Sequence, residues 1–247
     1  MASEKIRLDK LLVERGIAMT REKARALILA KAVKINEIHV DKAGAFVSSD
    51  AQVHVKGEDN PYASRGGLKL KGVLEEFKLS VKDFIVLDVG ASTGGFTDCL
   101  LQAGARKIYA LDVGYGQLAW KLREDKRVVV IERTNIRYYD GIHLNELPDL
   151  ATIDVSFISL KIVLPVVLKL LGNDGQILAL IKPQFEARRE EIGKKGLVKN
   201  SAVHQRVILE ITDFCQKLNL QVEGTCSSPL LGPMGNKEFF ILARKNS

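Results

Sequence analysis

The sequence contains few cysteines and no long apolar run. Its three cysteines are odd in number and lack the spacing of metal ligands, so we expect neither a disulfide framework nor a metal site. Reduced thiols in a cytoplasm fit this pattern better. No window approaches ~18 uncharged apolar residues, so no membrane helix is predicted. The first residues carry no apolar segment, and we therefore expect no secretory signal.

The composition is that of a globular protein with an excess of positive charge. With 247 residues, the chain has room for one large domain and a small one. A hydrophobic fraction of 46% and a mean hydropathy of +0.02 provide ample material for a core. The net charge of +7 and the pI of about 9.2 favour a polyanionic partner, although charge alone does not identify it.

A glycine-rich turn organises the larger part of the chain. The apolar run over residues 84–89 predicts a buried parallel strand, and Gly90, Gly94 and Gly95 follow it before a helical segment. Glycine lets the backbone approach a ligand closely and adopt a positive φ. A strand, a glycine-rich turn and a helix together form a cradle for a nucleotide-like ligand in an open α/β sheet.

Two carboxylates, Asp88 and Asp112, stand at the ends of the first two strands. Asp112 follows about 20 residues after the turn, where an acidic side chain grips a ribose diol. The spacing from Gly90 to Gly94 matches neither the dinucleotide fingerprint nor a phosphate-binding loop, so a ligand without phosphates fits better. A nicotinamide or other nucleotide site stays open at this point.

The turn also resembles the cofactor motif of S-adenosylmethionine-dependent methyltransferases. This resemblance implies S-adenosylmethionine as the cofactor and Asp112 as its ribose ligand. The cofactor-binding residues that it implies are Asp88, Gly90, Ser92, Gly94, Gly95, Phe96, Asp112 and Asn135.

Strand-like runs alternate with helical stretches over the rest of the chain. This alternation predicts an α/β fold, a Rossmann-like domain with a seven-stranded, mostly parallel sheet and right-handed crossovers. A loop with two prolines and two glycines joins the last two runs, which predicts a hairpin at the sheet edge. The predicted strands are 84–89, 108–112, 128–131, 150–154, 176–181, 220–226 and 239–243. The predicted helices are 97–103, 118–123, 160–171 and 203–218.

The pattern of apolar and charged residues over residues 1–60 differs from that of the rest of the chain and predicts a separate small α+β domain. Two short amphipathic helices, the second capped by Thr20, precede short strands joined by a turn at Asn36 and Glu37. Basic side chains crowd the first half, and on charge alone a solvated helical surface is an equally good interpretation. The predicted RNA-binding residues of this domain are Arg7, Lys10, Arg15, Arg21, Lys23 and Arg25.

An ordered pattern in this small domain resembles a known RNA-binding fold. Arg-Leu-Asp-Lys-Leu-Leu, Arg-Gly, Thr-Arg-x-x-Ala and Val-x-Ile-Asn follow one another as in the domain named after ribosomal protein S-four. Ala32 stands where that family usually has glycine. The resemblance implies binding of structured RNA. A polar, turn-rich linker over residues 57–64 leads into the second domain, residues 61–247.

Charged residues follow or precede the predicted strands at the edge where ligands bind in such sheets. Asp154 ends the fourth strand, Lys182 ends the fifth, Glu238 opens the last, and Lys69 precedes the glycine turn. A lysine after a buried strand is a candidate base when partly desolvated, or else a snorkelling side chain. Asp154 alone could equally cap the next helix.

The order of these four residues resembles the Lys-Asp-Lys-Glu set of FtsJ-like ribose 2′-O-methyltransferases. The surrounding blocks, among them Ser64-Arg-Gly-Gly-x-Lys69 and Lys182-Pro-Gln-Phe-Glu186, resemble the TlyA family over essentially the whole chain. That family carries the names hemolysin A and rRNA methyltransferase. The resemblance implies methyl transfer to a ribose 2′-hydroxyl, with Lys182 as the base.

The same resemblance implies a substrate and a set of further roles. It implies ribosomal RNA or ribosomal subunits as the partner and a cytidine as the methylated nucleotide, with Asp154 orienting the base and Lys69 and Glu238 positioning the hydroxyl. A membrane-active hemolysin and a non-catalytic RNA-binding protein remain the alternatives, and monomer and weak dimer both stay open. Apart from the resemblance, the basic residues and glycines over residues 187–200 predict a mobile RNA-facing lid, and on sequence alone a solvated loop is an equally good interpretation. The predicted RNA-binding residues of the second domain are Arg65, Arg188, Arg189, Lys194 and Lys195.

Overall fold

In the computed structural model, residues 5–18, 20–36, 38–55, 60–232 and 234–246 are described. The chain divides into two compact units, Met1–Pro61 and Tyr62–Ser247. Residues 57–59 of the predicted linker and Glu37 of the predicted turn lie outside the described residues, as does Pro233 in the predicted hairpin loop.

The first unit packs two helices against short antiparallel strands. The Thr20 side chain accepts a hydrogen bond from the Lys23 N–H at 3.2 Å and thereby caps the second helix, as predicted. Leu8, Leu12 and Ile28 form the centre of a small core. Its elements are β1 (Lys5–Arg7), α1 (Leu8–Glu14), α2 (Arg21–Leu29), β2 (Val33–Ile35), β3 (Ile38–His39), β4 (Phe46–Ser48) and β5 (Val53–Val55).

Two separate sheets form in this unit. Strand β2 lies between β3 and β5, and β1 pairs with β4, all antiparallel. The β1–β4 pair was not predicted, because each strand has three residues and no clear alternation of apolar and polar side chains.

The second unit contains one seven-stranded sheet with helices on both faces. Its strand order is β11-β12-β10-β9-β6-β7-β8, and β12 runs opposite to the other six described strands of the sheet. Its elements are α3 (Arg65–Glu76), β6 (Ile85–Val89), α4 (Gly95–Gln102), β7 (Lys107–Leu111), α5 (Trp120–Arg123), β8 (Val128–Ile131), β9 (Leu150–Ile153), α6 (Leu160–Leu170), β10 (Gln176–Ile181), α7 (Pro183–Glu186), α8 (Ser201–Lys217), β11 (Leu220–Ser227) and β12 (Phe239–Lys245). The predicted mostly parallel sheet is confirmed.

The core lies on both faces of this sheet, since its central strands bury both sets of side chains. In β10, Ile177 and Ala179 face one apolar cluster, while Leu178 and Leu180 face the other. Such continuous burial is typical of central parallel strands and explains their uninterrupted apolar runs.

The topology brings the chemically important residues to one edge. Parallel strands β6, β7, β9 and β10 share a carboxyl end, and the residues that follow them lie there. Strand β12 runs the opposite way, so its first residues reach the same edge. Glu238 directly precedes β12 and therefore joins Asp112, Asp154 and Lys182.

Candidate active site

In the turn after β6, the three glycines lie too close to neighbouring atoms to carry side chains. Gly90 has φ +89°, and a Cβ there would overlap the carbonyl oxygen of Asp154. Gly94 has φ +93° and directly precedes α4, where a Cβ would overlap two leucine side chains. At Gly95 a Cβ would overlap the Ser64 hydroxyl. The three glycines are therefore required by three different neighbours.

Asp112 is held in place by backbone amides. Its Oδ2 accepts the Ser92 N–H at 2.8 Å, and its Oδ1 accepts the Gly114 N–H at 2.7 Å. The N–H of Ser92, one of the predicted cofactor-binding residues, therefore points at Asp112. A carboxylate offers about four acceptor positions, so both Asp112 oxygens keep capacity for ligand hydroxyls.

Two adjoining cavities open at the carboxyl edge of the sheet, with volumes of about 360 and 750 Å³. Gly90, Ser92 and Asp154 line both of them. The larger cavity also contains Asp112 and Asn135, whose side-chain oxygen accepts the Arg137 N–H at 3.0 Å. Glycines at close approach and a carboxylate at the diol position fit a nucleoside-containing ligand without phosphates.

The structure places Asp88 behind this cavity and not in its wall. The side chain is fully buried, and its oxygens accept hydrogen bonds from the Thr97 hydroxyl at 2.6 Å and the Thr152 hydroxyl at 3.0 Å. Burial raises the pKa of Asp88 to about 6, against the opposing effect of these two hydrogen bonds. Its geometry is that of a brace between β6, β9 and α4. Phe96 lines the smaller cavity, and Gly94 packs against leucines instead.

Two lysine–carboxylate pairs accompany the cavities. Lys69 Nζ lies 2.6 Å from Glu238 Oε2, and Lys182 Nζ lies 2.6 Å from Asp154 Oδ1. Lys182 Nζ also lies 3.0 Å from the Ser156 hydroxyl. Lys69 and Asp154 line the smaller cavity together, so one residue of each pair reaches the same space. The four catalytic side chains predicted from the sequence thus form two ion pairs.

Local packing explains how Lys69 reaches its carboxylate. The Ser64 hydroxyl accepts the Gly66 N–H at 3.3 Å at the start of α3. A Cβ at Gly67 would overlap the Tyr62 side chain, so the glycine lets the first turn of α3 pack closely there. Lys69 follows half a turn later and is buried where it meets Glu238.

Most of the predicted RNA-binding side chains of the first unit contact other residues of that unit. Arg15 donates to the carbonyl oxygens of Ala51 and Ser49 at 2.7 and 2.6 Å, and Lys10 pairs with Glu14 at 3.2 Å. The Lys23 side chain is exposed. Three further arginines, Arg7, Arg21 and Arg25, all contact the carboxylate of Asp9.

The basic loop over residues 187–200 presents its charges to solvent but is anchored at its far end. Asn236 Nδ2 donates to the Gly196 carbonyl oxygen at 2.9 Å, and Asn236 Oδ1 accepts the Val198 N–H at 2.9 Å. Asn236 is buried and two residues from Glu238. No local sequence pattern predicts this contact, because the partners are about 40 positions apart. The exposed basic residues of the loop are Arg188, Arg189, Lys194, Lys195 and Lys199, while Arg65 lines the smaller cavity.

One exposed aromatic residue at this site is not among the residues predicted from the sequence. Phe157 lines the larger cavity, is 91% exposed and has φ +63°, a backbone conformation that bulky residues rarely adopt. Its ring centroid lies 5.0 Å from that of Phe185. The available signal was an aromatic residue three positions after Asp154, beyond the end of a buried strand.

Two family models together match most of the chain. Residues 62–245 match the FtsJ-like methyltransferase model, and residues 6–53 match the S4 domain model. None of the helices in the described part of the chain is long and apolar enough to cross a membrane.

Named relatives match over nearly the full length. A Bacillus subtilis protein named "Putative rRNA methyltransferase YqxC" is 52% identical over 242 residues, covering 98% of this chain and 86% of that protein. The Mycobacterium tuberculosis protein named "16S/23S rRNA (cytidine-2'-O)-methyltransferase TlyA" is 42% identical, covering 98% of this chain and 91% of that protein. A solved structure titled "Putative hemolysin from Streptococcus thermophilus" superposes with a TM-score of 0.78 at 45% identity, covering 100% of this chain and 90% of that one.

Proposed function

This chain belongs to the FtsJ-like methyltransferases and carries an S4 domain, and from that premise we propose that it methylates ribosomal RNA. The reaction is transfer of a methyl group from S-adenosylmethionine to a ribose 2′-hydroxyl. The names of two relatives, which are rRNA (cytidine-2'-O)-methyltransferases, support a cytidine of ribosomal RNA as the target. We propose ribosomal RNA or ribosomal subunits as the substrate and the cytoplasm as the place of the reaction. The observation that carries the proposal is the juxtaposition of two lysine–carboxylate pairs with a glycine-lined cavity.

The larger cavity is the proposed cofactor site. S-adenosylmethionine, when bound, supplies an electrophilic methyl group on a sulfonium. Asp112 would accept hydrogen bonds from the ribose hydroxyls, and Asn135, which lines the same cavity, would contact the adenine. The backbone at Gly90, which lines both cavities, would hold the methionine part. Asp154 also lines both cavities and would place a negative charge near the sulfonium.

Lys182 is the proposed base. A ribose hydroxyl is a weak nucleophile, so a positioned group must take its proton as the bond to the methyl carbon forms. Asp154 at 2.6 Å and the Ser156 hydroxyl at 3.0 Å hold the Lys182 amine at one point. The amine must be neutral when it receives the proton, and the resulting ammonium is stabilised by Asp154.

Lys69 and Glu238 are proposed to position the hydroxyl. Both side chains are buried, and the second oxygen of Glu238, Oε1, has no hydrogen-bond partner among the described residues. Such an oxygen gains from a donor that arrives with the substrate. Methyl transfer is an in-line displacement, so fixing the hydroxyl opposite the leaving sulfur contributes directly to the rate.

Phe157 provides a surface for the target base. Single-stranded or flipped nucleotides stack on exposed aromatic rings, and this ring lies at the wall of the cofactor cavity. We propose that the base of the methylated nucleotide contacts Phe157 while its ribose enters the smaller cavity.

The test is tritium transfer from labelled S-adenosylmethionine to naked rRNA and to purified ribosomal subunits. Wild type is compared with Lys182→Ala and with Lys161→Ala, a matched control that also removes a lysine paired with a carboxylate, here Glu210 at 2.9 Å. We expect incorporation with wild type and Lys161→Ala and its loss with Lys182→Ala. The modified position should resist alkaline hydrolysis, because a methylated 2′-oxygen cannot attack the adjacent phosphate.

Cofactor binding by calorimetry completes this test. Lys182→Ala should bind S-adenosylmethionine as wild type does, since Lys182 is not among the residues that line the proposed cofactor cavity. If Lys182→Ala kept full activity, Lys182 would not be the base. If wild type transferred no label to any of these substrates and bound no cofactor, the methyltransferase proposal would be wrong, and an RNA-binding module would remain.

A further inference from the structure

Asp9 lies at the centre of three arginines in the first unit. Its carboxylate is fully buried and receives two hydrogen bonds from Arg7, from Nε and Nη2, each at 3.0 Å. Arg21 Nη2 and Arg25 Nε donate to Oδ2 of the same carboxylate at 3.0 and 3.2 Å. Arg21 and Arg25 stand one turn apart on α2, while Asp9 lies in the first turn of α1 and Arg7 is the last residue of β1, directly before α1.

This cluster keeps a surplus of positive charge at the surface. Three guanidinium groups surround one carboxylate, and the arginine side chains remain 40%, 52% and 50% exposed. Hydrogen bonding to Arg7 holds the pKa of Asp9 well below its ordinary value, against the effect of burial, so the carboxylate stays ionised. Each guanidinium carries five N–H donors, and Asp9 accepts two from Arg7 and one each from Arg21 and Arg25.

We propose that Asp9 is a positioning residue that holds Arg7, Arg21 and Arg25 as one fixed array for the phosphates of an RNA backbone. This inference rests on the proposed RNA-binding function of the first unit. Free arginine side chains lose rotamer freedom when they bind a phosphate, whereas side chains already held by Asp9 lose less. The planar guanidinium also matches phosphate geometry through two parallel N–H donors, which requires a defined orientation.

Charge counting and positioning predict opposite effects for the loss of Asp9. If charge alone mattered, removing a carboxylate beside an RNA surface would strengthen binding. If Asp9 positions the arginines, removing its charge weakens binding although the net charge becomes more positive. The sign of the change therefore separates the two accounts.

The experiment compares Asp9→Asn with Glu14→Gln in the full-length protein. Both substitutions remove one carboxylate from α1. The Glu14 side chain, however, is half exposed and forms an ion pair with Lys10 at 3.2 Å. Binding to purified 16S and 23S rRNA is measured over a salt series, together with methyl transfer at varied RNA concentration.

We expect Asp9→Asn to weaken RNA binding about tenfold and to reduce the salt slope by about 1 to 2, since each lost phosphate contact removes ~0.7–0.9. KM for RNA should rise while kcat at saturating RNA stays constant, a split that general loss of stability does not produce. Glu14→Gln should bind as wild type or slightly more tightly. Equal affinity and equal salt slope for the two variants would overturn the inference.

Two further variants keep the inference testable. Arg21→Lys retains the positive charge but loses the planar guanidinium group, so we expect it to weaken RNA binding several-fold. This variant tests the inference even if Asp9→Asn fails to fold. Unchanged RNA binding by Arg21→Lys would count against a positioning role for Asp9. Replacing Arg7, Arg21 and Arg25 together by Met tests the underlying function. If that variant bound RNA normally, the first unit would not be an RNA-binding surface; if it failed to bind while Asp9→Asn bound normally, only the role of Asp9 would be wrong.

Discussion

Asp88 shows at the scale of one residue how position in the sequence and role in the structure can differ. It stands at the end of β6, beside the glycine turn, where the sequence predicts a cofactor ligand. The alternation of side chains along the strand turns it inward instead, onto Thr97 and Thr152. A carboxylate buried between two hydroxyls supports the turn from behind.

This burial makes stability depend on pH in a definite direction. The pKa of Asp88 is raised to about 6 in the folded protein, from an ordinary value of 3.8. Below pH ~4 the carboxyl is protonated in both states and contributes no difference. Between pH ~4 and ~6 only the unfolded chain loses the proton, so the free energy of unfolding falls as the pH rises. Above pH ~6 the carboxyl is ionised in both states, so the free energy of unfolding stays lowered by a constant amount.

We predict that Asp88→Asn removes this dependence. The stability of wild type relative to the variant should fall by up to about 3 kcal/mol between pH ~4 and ~6.5 and then stay level, because ~1.4 kcal/mol corresponds to one pKa unit. Urea unfolding followed by Trp120, the single tryptophan and a residue of the second unit, measures both proteins. If the free energies of unfolding of wild type and variant differed by a constant amount over this pH range, Asp88 would not titrate as described.

A second residue-scale prediction concerns Gly90. Gly90→Ala should lower S-adenosylmethionine affinity at least tenfold and reduce the melting temperature, because φ is +89° and the new Cβ would meet the carbonyl oxygen of Asp154. Gly116→Ala is the matched control, with φ +68° but no atom within 4 Å of the new Cβ. Calorimetric titration should show near-normal binding for that control. Equal losses in both would assign the effect to backbone strain alone.

At the scale of elements, prediction succeeded where burial is continuous. The strand at residues 176–181 is found at those bounds, because it is apolar from Ile177 to Ile181, a glycine-containing turn precedes it, and Lys182 and Pro183 follow it. The start of α2 was also predicted, since Thr20 is a clear cap. Strands β1 and β4 were missed because their half-exposed side chains show no period.

The site was predictable only in part for a related reason. A glycine turn and its following carboxylate lie close together in sequence, so the pattern reveals them. Lys69 and Glu238 are 169 positions apart, and only the resemblance to a family placed them together. Which lysine pairs with which carboxylate, and that Asn236 anchors the basic loop, depends on tertiary packing that no local pattern contains.

That anchor supports an element-scale prediction. Asn236→Ala removes both hydrogen bonds to residues 196 and 198 and should free the loop over residues 187–200. We expect faster trypsin cleavage within this basic loop and several-fold lower methyl transfer, because the next residues lead to Glu238. Asn246→Ala, which removes a side-chain contact with Asn219 at the exposed end of the chain, is the control. Unchanged cleavage in Asn236→Ala would contradict the anchoring role.

At the scale of the whole molecule, the net charge of +7 has a different consequence for each ligand. RNA binding releases counterions from phosphates, so its affinity should fall steeply with salt. S-adenosylmethionine carries no phosphate, and its affinity should change little over the same range. The two salt dependences, measured on one preparation, therefore separate the RNA surface from the cofactor cavity.

The final prediction asks whether the position of these charges matters or only their number. Replacing Arg188, Arg189, Lys194 and Lys195 together by Gln removes four positive charges from the basic loop. The control replaces four other exposed lysines of the second unit by Gln, namely Lys82, Lys126, Lys169 and Lys217. We expect the loop variant to reduce kcat/KM for rRNA about tenfold or more and to flatten its salt dependence, since local phosphate contacts set that slope. The control should lose much less. Equal losses would mean that the overall charge of the molecule attracts RNA and that the loop makes no specific contact.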